Sequence, residues 1–438
     1  MKLNVEEALA SAHETRALQI GRNILAQVSH LFTETFGTKK AIVVCDATTW
    51  EVAGKEVYKH LSAGIIETIN PFIFDEPKPY AEFNNVLKLE TALEKDEAIP
   101  VVVGSGTLND LTKLASARTN KPYMCVATAA SMDGYTAFGA SITYQGAKQT
   151  FSCPAPQAVL ADIEIIRKAP ASMTASGYAD LYAKVTAGAD WILSDALGVE
   201  PIDKRAWSIV QDGLKEALAD PLGAKEGKEN AINPLIEGLI LGGFAMQWSK
   251  SSRPASGAEH QFSHLWNMEH HTHKGEAPSH GFQVGVATLA VTRLYEKMLR
   301  TPLEKLDVQA CCDQWPEWYH LEQKAREMFR KTDFLDTAIN QSKDKYISRK
   351  ELAIQLQKLK GIWPQLKEQL RNQIVPSEKV RKDLIAVGAP VEPEQIGITN
   401  DRMKASFFRA QHIRSRFTIL DIAVRTGYLE QWLNELYQ

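Results

Sequence analysis

The sequence predicts a parallel α/β sheet domain followed by an all-helical domain. In the first 165 residues short β-branched segments alternate with helical patterns, and this order is typical of a Rossmann-like parallel sheet with helices on both faces. From about Pro170 onward, long helical periods dominate and strand-like segments are few. Because one domain usually spans roughly 100–200 residues, we divide the 438-residue chain into domains at 1–165 and 166–438.

The predicted strands are short apolar runs that end at turn-forming residues. Ala41–Asp46 and Ile99–Gly104 give the strongest signals, and residues 123–128 give the next strongest. Residues 64–69 and 71–74 are weaker candidates. Together these segments supply the strands of the expected parallel sheet.

The second domain is predicted from helical periods at residues 203–219, 233–250 and 284–299. Residues 306–346 are rich in charge and aromatic rings, which indicates surface helices that pack their rings inward. The most apolar segment, residues 234–248, is interrupted by Glu237 and is shorter than the roughly 20 residues that a membrane span requires. We expect it to be a buried helix.

The composition favours a small-molecule partner. A net charge of −3 and a pI near 6.4 give no electrostatic reason to expect nucleic acid or an anionic membrane. Five cysteines without a C-x-x-C spacing predict neither a zinc ribbon nor a disulfide framework. Because Glu6, Glu7 and Glu14 interrupt the first residues, we predict no export signal and expect a cytoplasmic protein.

A glycine-containing turn follows the strand at 99–104. Its sequence is Gly104-Ser-Gly106-Thr-Leu-Asn109-Asp110, and a helical pattern comes next. Glycines allow a ligand to approach the backbone, and the amide groups of a helix start attract phosphate. A pyrophosphate site and a plain tight turn into the helix explain this segment equally well, since the third glycine of a dinucleotide fingerprint is absent.

Two further segments lie at carboxyl ends of predicted strands. Asp46 stands where an acidic side chain often accepts hydrogen bonds from an adenine ribose, although a helix cap would explain it equally. Thr128 and Ser131 follow the next strand, and such hydroxyls suit ribose and nicotinamide. Asp133 offers a carboxylate to a substrate, or forms a simple Asp-Gly turn.

Residues 257–281 contain six of the eleven histidines. His260 and His264 are four residues apart, so they share one face of a predicted helix and suit one metal ion, or an ion and its substrate. His280 precedes another helix, and Asp180 is an acid within an apolar stretch, where burial usually requires a partner or a metal. Any one of these histidines alone is more often a satisfied or solvated side chain. We assign the remaining three to a solvated loop: His270, His271 and His273.

The chain resembles the glycerol-1-phosphate dehydrogenases, within the iron-containing alcohol dehydrogenase and dehydroquinate synthase-like superfamily. The resemblance follows the order of motifs over most of residues 20–300, and SRPASGAEHQFSH is its most specific part. The matching motifs are GSGTLNDLTK at 104–113, TAASMDGYTAFGAS at 128–141, VLADIEII at 159–166, ASGYADLYAK at 175–184, SRPASGAEHQFSH at 252–264 and HGFQVGVATL at 280–289.

This resemblance implies a dehydroquinate synthase-like fold and a site with one divalent metal ion, Zn, Ni or Fe. It implies that Asp180, His260 and His280 bind the metal, that Asp133 and His264 contact the substrate, and that NAD or NADP is the cofactor. The residues that it assigns to the cofactor are Asp46, Gly104, Ser105, Gly106, Thr107, Asn109, Asp110, Thr128 and Ser131. For the substrate phosphate we choose Lys184 and Arg253, from their charge and placement.

The implied reaction is the reversible, metal-dependent reduction of dihydroxyacetone phosphate by NAD(P)H to sn-glycerol 1-phosphate. His264, Asp133 and Asp180 are the predicted catalytic residues, and His264 is the candidate for proton relay. We also expect a homo-oligomer. Three alternatives stay open: a dehydrogenase of another polyol or polyol phosphate, a dehydroquinate synthase-like sugar-phosphate cyclase, and a metal-sequestering module without catalysis.

Overall fold

A computed structural model describes residues 5–76, 78–145 and 147–437 of the chain. The first part contains a six-stranded parallel sheet with strand order β1-β8-β5-β4-β2-β3 and a separate antiparallel hairpin, β6-β7. The strands are β1 Ala17–Gly21, β2 Ala41–Asp46, β3 Phe72–Phe74, β4 Ile99–Gly104, β5 Met124–Ala127, β6 Ala140–Tyr144, β7 Ala147–Phe151 and β8 Ala158–Asp162.

The predicted α/β fold is confirmed, with both strong strands at their expected bounds. Within the predicted segment 123–128, Met124–Ala127 form β5, whereas 64–69 contribute only an isolated bridge at Thr68. All residues of β4 and β5 are buried, because helices and neighbouring strands cover both faces of a parallel sheet. Strands β1 and β8 and the hairpin were not predicted.

Helices connect the strands of the sheet. The helix α6 follows β4 directly, with Ser105 at its N-cap, so it begins at the carboxyl edge of the sheet. The helices of this part are α1 Val5–Leu9, α2 Val28–Phe36, α3 Ala47–Thr49, α4 Lys55–Ser62, α5 Phe83–Leu93, α6 Gly106–Arg118 and α7 Ile163–Ile166. A π-helical turn, Trp50–Gly54, joins α3 to α4.

After β8 the described residues form helices and no further strand, as predicted. The predicted helix at 203–219 is interrupted at Gly213. The predicted buried helix around 234–248 lies within α12. The helices are α8 Ala171–Leu197, α9 Lys204–Gln211, α10 Leu214–Ala217, α11 Pro221–Lys225, α12 Glu229–Ser249, α13 Ala258–Met268, α14 His280–Arg300, α15 Val308–Gln314, α16 Trp318–Phe329, α17 Leu335–Asp344, α18 Arg349–Gln373, α19 Ser377–Val387, α20 Asn400–Ala410, α21 Ile419–Arg425 and α22 Leu429–Leu436.

The chain divides into two compact units. The first comprises residues 1–181, 205–252 and 386–388, and the second comprises 182–204, 253–385 and 389–438. The core of the second unit includes Phe262, Trp266, Trp363 and Trp432. Because each unit is built from several segments, the division does not reduce to one boundary, and the limits 1–165 and 166–438 stay a prediction.

Aromatic residues of the 306–346 region mostly point inward. Trp315, Phe329 and Phe334 are buried, whereas Tyr319 is exposed. Within the ranges that the structure describes, no helix combines the length and the apolarity needed to cross a bilayer.

Candidate active site

Three side chains that the family resemblance assigns to a metal lie together. Asp180, His260 and His280 each offer one ligand atom, and these atoms all lie within 4.8 Å of one another. Asp180 and His260 are buried and His280 is partly buried. One carboxylate and two imidazoles are donors that Zn²⁺, Ni²⁺ and Fe²⁺ accept, and three protein ligands leave a position for substrate. This group therefore fits one divalent ion.

The carboxylate of Glu259 orients the ring of His260. Its Oε1 lies 2.8 Å from His260 Nδ1 and accepts from Gly257 N, while its Oε2 accepts from Thr186 Oγ1 at 2.7 Å. Burial alone would raise the pKa of Glu259, but the hydrogen bonds from His260, Thr186 and Gly257 outweigh burial and lower it. An anionic partner on Nδ1 makes Nε2 the nitrogen for a metal and increases its basicity.

His280 has a neutral partner on the same ring position. Ser263 Oγ lies 3.3 Å from His280 Nδ1 and from Gln283 Oε1. Gln283 is itself fixed by bonds from Nε2 to Asn267 Oδ1 and to the Pro278 carbonyl. Because each ring is held through Nδ1, both histidines can present Nε2 to one ion.

Asp180 is positioned by the loop after β5. The Asp133 amide donates to Asp180 Oδ2 at 3.0 Å. Close packing of α8 against this loop depends on Gly177, because a Cβ there would lie 2.1 Å from the Ala130 carbonyl oxygen. The absence of a side chain at Gly177 thus brings Asp180 within reach of the Asp133 amide.

His264 lies one helical turn beyond His260 on α13, and it is partly buried. Arg414 Nη2 donates to His264 Nε2 at 3.0 Å. A neutral imidazole has one donor and one acceptor nitrogen, so with Nε2 accepting, the proton resides on Nδ1. His264 can therefore hold a transferable proton, and its role as a substrate contact stays a prediction.

Both residues predicted for the substrate phosphate are buried. Lys184 lies on α8, one turn after Asp180. Arg253 donates through Nη1 to the Phe417 carbonyl and through Nη2 to the Asp190 carbonyl, at 3.0 and 2.8 Å. These bonds fix the Arg253 guanidinium within the protein, and a phosphate contact by either residue stays a prediction.

The glycine turn lies where two strand ends meet. Thr128 N donates to the Gly104 carbonyl at 3.1 Å, which ties the end of β5 to the end of β4. A Cβ at Gly104 would lie 2.5 Å from Leu108 Cδ1, so this position requires glycine. Ser105, Gly106 and Thr107 are partly exposed at the start of α6, where backbone amides can meet a phosphate.

Two residues of the predicted cofactor set have structural partners. Asn109 is buried, donates to the Gly134 carbonyl at 3.3 Å and accepts from Tyr123 Oη at 3.1 Å. Asp110 Oδ2 accepts from Ser141 N at 3.2 Å. These contacts join α6 to residues 134–141, so a cofactor contact by Asn109 or Asp110 stays a prediction.

Asp46 forms the helix cap that was the alternative to a ribose contact. Its Oδ1 accepts from Thr49 N at 2.7 Å, and Thr49 Oγ1 accepts from Asp46 N. This capping box fixes the carboxylate at the carboxyl end of β2. Thr128 and Ser131 follow β5, the former buried and the latter partly buried. A cofactor contact by any of these three residues stays a prediction.

The prediction that all histidines of the loop are solvated is wrong for His271. This side chain is buried, with Nε2 on the Ile396 carbonyl and Nδ1 accepting from Arg402. Burial, opposed by the bond to Ile396, lowers the pKa of His271. His273 N and Glu276 O pair at 2.8 Å, so the segment 269–279 contains a short turn anchored by a neutral histidine.

The sequence matches an established enzyme family. The profile of the iron-containing alcohol dehydrogenases matches residues 19–170. A glycerol-1-phosphate dehydrogenase (NAD(P)+) of Halalkalibacterium halodurans is 35% identical over 295 residues, which cover 66% of this chain and 73% of that protein. The chain belongs to the glycerol-1-phosphate dehydrogenase family. A relative with the same description from Geobacillus stearothermophilus is 27% identical over 92% of this chain and 90% of its own length.

Solved structures support the fold of this glycerol-1-phosphate dehydrogenase family member. Glycerol dehydrogenase from Schizosaccharomyces pombe has a TM-score of 0.58 at 17% identity, covering 100% of this chain and 93% of that chain. NADH-dependent butanol dehydrogenase A from Thermotoga maritima has a TM-score of 0.59 at 13% identity, covering 96% and 97%. These likenesses confirm the predicted dehydroquinate synthase-like fold. The family makes the protein an NAD(P)-dependent alcohol dehydrogenase.

Three groups of polar residues around the site of this dehydrogenase were not predicted from its sequence. Glu259 is the neighbour of His260 in the chain, and an acid beside a candidate ligand was the available signal. Lys113 is buried and donates to the carbonyls of Gly134, Ala137 and Gly139. No pattern marks such a lysine, because its partners are backbone atoms. The third group comprises Arg414 and Arg416, which belong to the basic run at 409–416.

Proposed function

We propose that this protein is a metal-dependent glycerol-1-phosphate dehydrogenase that reduces dihydroxyacetone phosphate to sn-glycerol 1-phosphate with NADH or NADPH, reversibly. The grouping of Asp180, His260 and His280 carries this proposal, because these residues are distant in sequence and their ligand atoms lie within 4.8 Å. Membership of the glycerol-1-phosphate dehydrogenase family supports the substrate.

In the proposed reaction, hydride passes from NAD(P)H to the C2 carbonyl carbon, and the carbonyl oxygen takes up a proton. The products are sn-glycerol 1-phosphate and NAD(P)⁺. A bound divalent ion would supply Lewis-acid chemistry that polarises the carbonyl. Asp180, His260 and His280 would hold that ion, and any of Zn, Ni and Fe suits their donor atoms.

The remaining polar residues have assigned parts in this proposal. His264 Nδ1 holds the proton that moves to the substrate oxygen, since Nε2 accepts from Arg414. Asp133 binds a substrate hydroxyl through its carboxylate while its amide positions Asp180. The start of α6, around Gly104 and Gly106, binds the cofactor pyrophosphate through backbone amides.

A substitution at His260 tests the proposal. His260→Ala should lose bound metal and the reduction of dihydroxyacetone phosphate, because one of three ligands is removed. His270→Ala is the matched control, since His270 belongs to the same histidine-rich segment but contacts Asp333 at 2.9 Å. Metal content and NAD(P)H oxidation are measured for both after stripping and reloading with Zn²⁺, Ni²⁺ or Fe²⁺. Retention of metal and activity by His260→Ala would contradict the proposal.

Substrate and cofactor panels separate the alternatives. Faster reduction of an unphosphorylated ketose would indicate a dehydrogenase of another polyol, whereas net NAD(P)H oxidation excludes a sugar-phosphate cyclase. Asp46 at the end of β2 favours NADH, because a carboxylate accepts from a ribose hydroxyl and repels a 2′-phosphate.

A homo-oligomer and a cytoplasmic location also stay proposals. The cytoplasmic location is supported by the five cysteines, which are all free thiols.

A further inference from the structure

We infer that Arg414 and Arg416, in the segment between α20 and α21, bind the phosphate group of the substrate. The inference rests on the proposed function and extends it by assigning an anion subsite, one for a phosphate monoester. Both arginines are partly buried, and a partly buried site strengthens a charge-assisted hydrogen bond to an anion.

Arg414 lies beside the predicted proton donor, His264, and forms one side of the proposed phosphate subsite. Its Nη2 donates to His264 Nε2 at 3.0 Å. His264 lies one turn from His260 on α13, and a helical turn rises about 5.4 Å. A three-carbon substrate whose carbonyl lies near the metal ligands therefore has its phosphate within reach of Arg414.

Arg416 is anchored against the same helix. Its Nη1 donates to the Ser256 carbonyl at 2.8 Å, and its own carbonyl accepts from Gln261 Nε2 at 3.2 Å. Ser256 and Gln261 lie on either side of His260 in the chain. The segment that carries both arginines is thus fixed at the beginning of α13, where it can present two guanidinium groups together.

Arg253 holds this segment in place. Its Nη1 donates to the carbonyl of Phe417, the residue next to Arg416. Its Nε lies 3.2 Å from Glu200, and only 1% of its side chain is exposed. Arg253 is therefore better suited to positioning the 414–417 segment than to meeting a substrate.

The local charge favours a bound anion. Burial, together with the positive charges of Arg253 and Arg414, lowers the pKa of Arg416 to about 9. The two acids that act on Arg416 are engaged elsewhere, Glu200 with Arg253 and Glu259 with His260. A phosphate dianion would offset this positive charge, and the planar guanidinium fork matches two phosphate oxygens.

The test uses zinc-loaded enzyme and a substrate pair that differs by the phosphate. Arg416→Gln should lower kcat/KM for dihydroxyacetone phosphate by about 10- to 100-fold, as expected for one lost charge-assisted hydrogen bond. Its kcat/KM for dihydroxyacetone should stay within about three-fold, because no phosphate is present. The kcat/KM of Arg416→Lys for dihydroxyacetone phosphate should fall between the values for wild type and Arg416→Gln, since lysine keeps the positive charge but lacks the guanidinium fork. Arg381→Gln is the matched control, because Arg381 pairs with Glu392 on the exposed side of α19.

Equilibrium binding of inorganic phosphate supplies a readout independent of turnover. Arg414→Gln and Arg416→Gln should each weaken phosphate binding by about ten-fold or more relative to wild type and Arg381→Gln, with near-ultraviolet circular dichroism unchanged. Equal losses of kcat/KM for both ketones, or unchanged phosphate binding, would overturn the subsite. If the wild type binds phosphate through these arginines but does not reduce dihydroxyacetone phosphate, the proposed function fails and the anion subsite stands.

Discussion

Replacing Glu259 by Gln should weaken metal binding without disrupting the fold. Glu259 is fully buried, and three hydrogen bonds reach its carboxylate, from His260, Gly257 and Thr186. Glutamine has the same shape: its carbonyl oxygen can accept from His260 and Gly257, and its amide can donate to Thr186. The substitution thus removes mainly the negative charge behind His260.

The size of the effect follows from the type of bond that is lost. A hydrogen bond to a charged group contributes about 1.5–3 kcal/mol, whereas a neutral bond contributes about 0.5–1.5 kcal/mol. Reducing the bond at His260 from charged to neutral therefore costs about 1.4 kcal/mol, or roughly ten-fold in the dissociation constant for the metal. Glu259→Ala should cost more, because the buried Gly257 amide would then lack its acceptor.

The measurement is a titration of metal-stripped protein with Zn²⁺ against a competing fluorescent chelator. Glu296→Gln is the control, because Glu296 also accepts two hydrogen bonds, both from Ser377, and lies on α14 far along the helix from His280. We expect Glu259→Gln to bind Zn²⁺ about ten-fold more weakly than wild type and Glu296→Gln to match wild type. Equal affinities for Glu259→Gln and wild type would refute the role of Glu259 in orienting His260.

Two further predictions concern packing and protonation. Gly177→Ala should displace the Ala130 backbone, because the new Cβ would lie 2.1 Å from the Ala130 carbonyl oxygen. The substitution should therefore lower both the affinity for zinc and the thermal stability. Unchanged zinc affinity and unchanged thermal stability would contradict this role of Gly177 in packing. Burial lowers the pKa of His412 to about 3, with Lys345 adding to the shift. Because the unfolded chain then binds one more proton below pH 6.5, wild type should lose about 2 kcal/mol of unfolding free energy through this residue between pH 6.5 and 5. In urea unfolding, His412→Asn should lose less unfolding free energy than wild type between pH 6.5 and 5, whereas the exposed His320→Asn should match wild type. If the two variants show the same dependence of unfolding free energy on pH, His412 is not the source of the loss.

Much of the sheet could be predicted because its central strands are continuous β-branched runs. Ala41–Asp46 and Ile99–Gly104 have no competing helical period, and glycine or aspartate ends each of them. The strand Ala17–Gly21 was missed because it lies at the sheet edge, where its residues are only partly buried and the apolar signal is weak. The hairpin at 140–151 was missed for a related reason, since its strands include Ser141, Thr143 and Thr150 and carry no continuous apolar run.

The grouping of Asp180, His260 and His280 could be predicted because the family resemblance rests on motifs that contain these residues, whereas the groups around them depend on tertiary contacts. Arg414 is 150 residues from His264, and Arg253 is 164 residues from Phe417. No periodicity in a single sequence connects segments so far apart. His271 shows the same limit, because its burial results from contacts with residues more than 120 positions away.

The anchored turn at 269–279 suggests a practical attachment point. Its tip consists of Lys274 and Gly275, both exposed and both with positive φ, at 55° and 87°. Such a two-residue connection tolerates added residues better than a packed element does. A short epitope tag or a fluorophore placed between Lys274 and Gly275 should leave His271 in its buried position, and would give a reporter close in sequence to His280.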